Sequence, residues 1–266
     1  MFSTTARQYA VITGGSSGIG FELARQFLAH DFDVLIAADR DVSEAARLLQ
    51  SSASEAVVDA VSVDLSTHEG VQKLYETIRE TGRKVDALAA NAGIGLGESF
   101  LDQRRADWVK VIDTNVTGTL DLIHLVGRDM RAAGSGRILI TSSIASHMPS
   151  PFLAIYSASK AFLQSFAHSI RNELKDSGVT VTALLPGATH SEVWNRAGVT
   201  DTRLGASEQK DDPAEVAKSG FNALMAGQGE VVHGLKNKVA VAASNVIPDD
   251  LLAGIARATT KPGSAK

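Results

Sequence analysis

Tyr156 and Lys160 stand four residues apart in IYSASKAFL, with only Ser157, Ala158 and Ser159 between them. On a helix that spacing points a phenol and an ammonium into one space, and the small residues leave room for another surface to approach. A tyrosine beside a positive charge is a candidate acid–base. Its free pKa of ~10 is too high for easy proton exchange at neutral pH, and a nearby ammonium favours the phenolate. A Tyr–Lys pair on a solvated helix face has the same spacing, so the rest of the chain must decide between them.

Other residues with chemistry follow the same logic. TGGSSGIG, residues 13–20, places Gly14, Gly18 and Gly20 in one short turn; glycines there permit a tight bend and a close approach to a phosphate resting on a helix start. A plain tight turn would read the same way. Asp64 is placed either to accept a hydrogen bond from an adenine amino group or to cap a helix, with Ser66 as a competing cap. Asn91 to Gly93 reads as a turn or as a loop flanking a bound molecule. Asn115 sits inside a long helical pattern, where its amide competes with the backbone, which marks a local distortion or a buried polar role. Ser142 and Ser143 end an apolar run and are capping serines by default. The seven histidines show no metal-ligand spacing, so a metal centre is not expected. No serine lies in a G-x-S-x-G elbow, which argues against a hydrolase triad.

These residues need a scaffold, and the pattern supplies one. Apolar runs at 9–13, 33–38, 56–63, 85–91, 136–143 and 179–187 alternate with amphipathic stretches, including a long one at about 103–132 and one at 155–176. Alternation of this kind predicts repeated βα units and a parallel sheet. Near-continuous apolar strands fit a sheet covered on both faces. Ligands bind such sheets beyond the carboxyl ends of the strands, and the polar residues named above follow strands or helix starts. The chain of 266 residues is read as one domain. Residues 188–212 form a long segment without a clear strand, expected to be a substrate lid. Residues 235–266 extend past the last expected strand and end in a frayed tail.

Composition excludes several functions. A net charge of −4 argues against nucleic acid, which recruits basic faces. The absence of cysteine excludes disulfides and thiolate zinc. No apolar run has the ~18 residues of a membrane helix, and the first residues lack the pattern of a secretory leader. A cytoplasmic protein with neither membrane nor nucleic-acid partner is expected.

TGxxxGxG at 13–20, Asp64, Asn91-Ala92-Gly93, Asn115, Ser143, Tyr156, Lys160 and Pro186-Gly187 occur in that order. Together they resemble the short-chain dehydrogenase/reductase family in its single-domain form, from about Gln8 to Gly234. One departure is Ala90, where the family often has a first Asn. The resemblance implies a Rossmann-like doubly wound parallel α/β sheet in three layers. It also implies an NAD(P)-dependent oxidoreductase acting on a hydroxyl or carbonyl group of a small molecule.

By the same resemblance Tyr156 is the general acid–base, and Lys160 binds the nicotinamide ribose and lowers the Tyr156 pKa. Ser143 holds the substrate oxygen, and Asn115 anchors a water in a proton relay to Lys160. Gly14, Ser16, Ser17, Gly18, Ile19 and Gly20 border the cofactor. Asp64 with Leu65, and Asn91, Ala92 and Gly93, flank its adenosine and nicotinamide sides. Pro186, Gly187 and Thr189 follow the sixth strand and complete the cofactor site. A homodimer or homotetramer is implied as well.

Cofactor choice is read at the end of the second strand, where Ala38 occupies the position usually held by an NAD-reading carboxylate. Asp39 and Arg40 follow, so the signals conflict; Ala38 leaves room for a phosphate that Arg40 reaches, which points to NADP(H), whereas Asp39 equally suits the ribose of NAD. Met148, Phe152, Val193 and Trp194 predict an apolar substrate pocket, with walls from 145–155, 94–100 and the segment after Gly187. Two rival functions remain: a non-catalytic dinucleotide-sensing protein, and an epimerase or dehydratase of similar fold.

Overall fold

A computed structural model describes residues 7–53 and 55–265. Residues 1–6, on which the missing leader was argued, and the final Lys266 lie outside the described residues.

Among the described residues seven parallel strands form one sheet in the order β3-β2-β1-β4-β5-β6-β7. They are β1 Gln8–Thr13, β2 Phe32–Ala38, β3 Val58–Ser62, β4 Ala87–Ala90, β5 Gly136–Thr141, β6 Val179–Leu185 and β7 Glu230–Val232. The strand order reverses between β1 and β4, which opens a crevice at their carboxyl ends.

Alternate strand residues feed two separate cores. Tyr9, Val11, Leu35, Leu88, Ile138 and Val181 pack on one side with α3 (His68–Glu80), α5 (Gly118–Ala132) and α6 (Ala154–Glu173). Ala10, Ile12, Ile36, Ala89, Leu139 and Leu184 pack on the other with α1 (Gly18–Leu28), α2 (Ser43–Ser52) and α9 (Pro213–Met225). The result is the three-layered, doubly wound sheet expected from the pattern. β3 is an edge strand and keeps outward positions such as Asp59 exposed, so its alternation is polar and not continuously apolar.

The long helical stretch at 103–132 is not one helix. It divides into α4 (Arg105–Ile112), a π-helical turn at Asp113–Thr117, and α5. Asn115 lies in that turn and is fully buried, so the two alternatives read from its amide, a local distortion and a buried polar role, meet at one residue.

The segment after β6 contains two short helices, α7 (Val193–Arg196) and α8 (Arg203–Ala206), and Thr189 bridges Asp211. Beyond β7 come α10 (Leu235–Ser244) and α11 (Asp249–Thr260). The expected frayed tail is instead docked: Gly263 N donates to Asp201 Oδ2 at 2.8 Å and Ala265 N to Asp201 O at 3.0 Å. Arg203 Nε donates to Ser264 O at 3.1 Å. Sequence pattern missed this because the bonding groups are mostly backbone amides.

Candidate active site

The carboxyl ends of β1, β4 and β5 are tied to one another by polar bonds. Asn91 N donates to Thr13 Oγ1 at 3.0 Å, and its Nδ2 donates to Thr13 O at 3.1 Å. Thr141 Oγ1 donates to Asn91 Oδ1 at 3.0 Å. Asn91 therefore does more than turn the chain: its amide holds three strand ends at fixed spacing. Thr13 and Thr141 were not singled out from sequence, because a threonine ending a strand looks like any strand threonine.

Lys160 reaches the same point from α6. It is buried, and Nζ donates to Thr141 O at 2.8 Å. Burial disfavours its charge and lowers its pKa from 10.5 to about 8. Tyr156, one turn earlier, has its ring centroid 5.7 Å from that nitrogen. Burial pushes the Tyr156 phenol up, and the Ser143 hydroxyl offsets part of the rise. The net shift is upward where the Tyr–Lys pairing predicts a lowering, because desolvation of the phenol itself is the largest effect on it.

The small residues between the pair accommodate the π-helical turn. Ser159 Oγ donates to Tyr156 O at 2.7 Å and accepts from Asn115 Nδ2 at 3.0 Å. Asn115 is fully buried; it also donates to Ile94 O at 2.9 Å and accepts from Ile94 N at 2.8 Å. Gly93 separates it from the lysine: a Cβ there would lie 3.1 Å from Lys160 Nζ and 3.4 Å from Asn115 Oδ1.

The two serines after β5 part company. Ser142 is buried with its hydroxyl donating to Lys160 O at 2.7 Å. Ser143 Oγ accepts from Ala145 N at 3.1 Å, donates weakly to Pro186 O at 3.4 Å, and is the hydroxyl acting on Tyr156. Ser143→Ala is therefore expected to lower turnover by ~10-fold or more, the worth of a hydrogen bond to developing charge. Ser142→Ala should cost ~1 kcal/mol of stability with much less effect on rate. Steady-state rates and melting curves of both variants decide; equal effects on rate, or the reverse order, contradict the assignment.

One cleft of about 410 Å³ joins these groups to the Gly-rich turn, a size typical of ligand sites. Gly14, Ser16, Ser17, Gly18 and Ile19 form one end, with Ala38, Asp39 and Arg40 beside them. Asp64 and Leu65, then Asn91, Ala92 and Gly93, line its middle, and Pro186, Gly187 and Thr189 continue the wall past Ser143, Tyr156 and Lys160. Gly20 and Asn115 lie behind the surface. A Cβ at Gly20 would collide with the Gly14 carbonyl and come within 2.6 Å of Asn91 Nδ2, so this glycine shapes the turn from beneath.

The residues at this end fit a dinucleotide. Gly14 and Gly18 have φ of +68° and +55°, which glycine adopts readily. The Ser17 side chain leaves the start of α1 uncapped, and no acidic residue lies in its first turn. Those free N–H groups suit a phosphate. Arg40 Nε is buried with no hydrogen-bond partner among the described residues. Asp64 is neither a helix cap nor free: its Oδ1 accepts from Ser66 N at 2.9 Å and Ser66 Oγ at 2.7 Å, while Thr67 caps α3. Burial pushes the Asp64 carboxyl up, but the Ser66 bonds and Lys110 outweigh it and hold the pKa below the ordinary value.

The other end is apolar. Ile94, Met148, Leu153, Trp194 and Val199 line it, as does a face of α11 formed by Leu252, Ile255, Ala256 and Thr259. Phe152 was expected here but does not line the cleft; its ring lies 4.9 Å from the Arg257 guanidinium. The α11 wall was missed. Spacing of 252, 255, 256 and 259 shows one helix face, but not what that face covers.

The profile of a family described as short chain dehydrogenase matches residues 8–201. An uncharacterized oxidoreductase of Staphylococcus saprophyticus is 34% identical over 218 residues, 81% of this chain and 90% of its own. A 3-oxoacyl-[acyl-carrier-protein] reductase of a Synechocystis species is 34% identical over 187 residues, 68% of this chain and 73% of its own. Among solved structures, a short-chain dehydrogenase from Sphingobium yanoikuyae in complex with NADPH aligns with a TM-score of 0.79. It is 26% identical, and the alignment covers 90% of this chain and 93% of that one.

Proposed function

The chain belongs to the short-chain dehydrogenase/reductase family and is an oxidoreductase; we propose that it interconverts an apolar alcohol and its ketone with NADP(H), through Tyr156, Ser143, Lys160 and Asn115. The observation that carries this reading is the meeting of Ser143 and Tyr156 in a cleft continuous with the glycine-lined turn. The NADPH in the Sphingobium neighbour supports a nicotinamide dinucleotide.

When bound, the nicotinamide supplies the hydride or accepts it, and in its oxidised form adds a positive charge. The chain does the rest. The start of α1 and the Gly14–Gly18 turn hold phosphate. Asn91 fixes the strand ends, and Lys160 donates to ribose hydroxyls. Ser143 donates a hydrogen bond to the substrate oxygen. Tyr156 donates its proton to that oxygen in reduction and takes it back in oxidation. The free lone pair of Asn115 Oδ1 and Lys160 Nζ both face the space left by Gly93, where a water passes the proton onward. Residues 188–212 close over the substrate as a lid. A homodimer or homotetramer in the cytoplasm belongs to the same proposal. Among the described residues no helix is long and apolar enough to cross a membrane.

A panel of apolar and polar alcohols and ketones, each tested with NAD(H) and NADP(H) and followed by nicotinamide absorbance, tests the function. Turnover of apolar members is expected. Tight dinucleotide binding with no turnover of any member favours a dinucleotide sensor instead.

The NADP(H) choice has its own test. Arg40→Ala should weaken NADP⁺ binding by ~10-fold, the worth of a hydrogen bond to a charged group, and leave NAD⁺ nearly unchanged. If Arg40→Ala leaves NADP⁺ binding intact and Asp39→Ala weakens NAD⁺, the chain reads NAD through Asp39.

A further inference from the structure

Asp39 is not free in the cleft. Arg196, the last residue of α7, brings Nη1 to 3.7 Å from Asp39 Oδ1. Both side chains line the same cleft as Arg40. The segment carrying α7 also lies against the Gly-rich turn: a Cβ at Gly18 would be 3.2 Å from Ser191 Cβ. The segment thus spans the whole cleft. Trp194 and Ala197 face its apolar end, while Ser191 and Arg196 reach its phosphate and ribose end.

This changes what Asp39 does. A carboxylate at the end of β2 repels a 2′-phosphate and so selects against it. A guanidinium within 4 Å cancels most of that repulsion. Glu192, nearer the start of the same segment, also lines the cleft. However, Asn195 Nδ2 donates to its Oε2 at 3.3 Å, and the Asp39 carboxylate pairs with Arg196.

We propose that Arg196 is a determinant of dinucleotide choice supplied from the substrate segment: by pairing with Asp39 it removes the repulsion, so that the 2′ position beside Arg40 accepts a phosphate. This rests on the reading of the cleft as a dinucleotide site. It also makes cofactor selection depend on where the substrate segment lies, so that Asp39 rejects the phosphate whenever α7 is displaced. Both side chains are partly exposed, with relative areas of 37% and 40%, so the effect is modest and screened by salt.

The test is calorimetric titration of NADP⁺ and NAD⁺ into cofactor-free wild type, Arg196→Gln, Asp39→Asn and the double variant, at low and high salt, with melting curves to confirm folding. Arg196→Gln should weaken NADP⁺ by ~5-fold or more, on the scale of an unscreened surface charge pair, and leave NAD⁺ within about twofold. Adding Asp39→Asn should recover most of that loss, and raised salt should shrink it. Equal weakening of both dinucleotides, unchanged NADP⁺ affinity, or no recovery in the double variant overturns the proposal. If wild type binds neither dinucleotide, it is the reading of the cleft that falls.

Discussion

Tyr156→Phe is expected to reduce turnover by at least ~100-fold, the usual worth of general acid–base catalysis, while dinucleotide affinity stays within a few-fold. The substitution removes one oxygen and keeps the ring that packs against the cluster of Leu153, Ala197 and Val199. Fold and cleft should therefore survive, which melting curves and binding titration will check. Burial raises the Tyr156 pKa, so the phenol holds its proton at neutral pH and is ready to donate. Carbonyl reduction is then served without a change of pH. Alcohol oxidation requires the phenolate, so its wild-type rate should climb with pH. The variant should lose that climb along with the rate. Near wild-type turnover in Tyr156→Phe would show that another group carries the proton.

Lys160→Met is the second large effect, and it separates function from stability. The variant loses the donor to ribose and the charge beside Tyr156. Dinucleotide affinity should fall by ~10-fold or more, the value of a hydrogen bond to a charged group, and turnover by ~100-fold or more. Stability should move the other way. The buried lysine titrates at about 8 against 10.5 when unfolded, a difference of about 3 kcal/mol. Between those two values the unfolded chain holds a proton that the folded chain has released, so wild-type stability rises with pH across that window. Below pH 8 the folded protein carries the full cost of a buried ammonium. Methionine removes the charge at similar volume, so the variant should be more stable than wild type at pH 7 and lack the rise. Denaturant unfolding at several pH values reads both. A wild-type stability that falls between pH 8 and 10 contradicts the buried-cation account.

The strands and their order along the chain were legible because a two-sided parallel strand leaves a short apolar run. The glycines of 13–20 and the Asn115 distortion were legible because each reflects a local backbone demand. Errors fell where the pattern was local but the partner was distant. The 103–132 stretch reads as one helix because the π-helical turn at Asp113–Thr117 keeps the chain helical and no proline marks the change. The role of Asp64 stays open between a cap and an adenine contact in the sequence, because sequence does not show that Thr67 takes the capping role.

The order and spacing of Gly14, Asn91, Ser143, Tyr156 and Lys160 are properties of the sequence alone, and with them the family resemblance and the parallel sheet. They follow from rules that operate within a few residues: helix period, strand alternation and glycine at positive φ. Three other features were decided only by the tertiary structure. Lys160 loses its charge readily and turns to Thr141. A face of α11 walls the apolar end, and Arg196 reaches Asp39. Each of these joins residues far apart in the chain, and their distance is set by how two cores pack against the two faces of one sheet. Burial, and with it the pKa of Lys160 and Tyr156, is a property of that packing, which no short stretch of sequence contains.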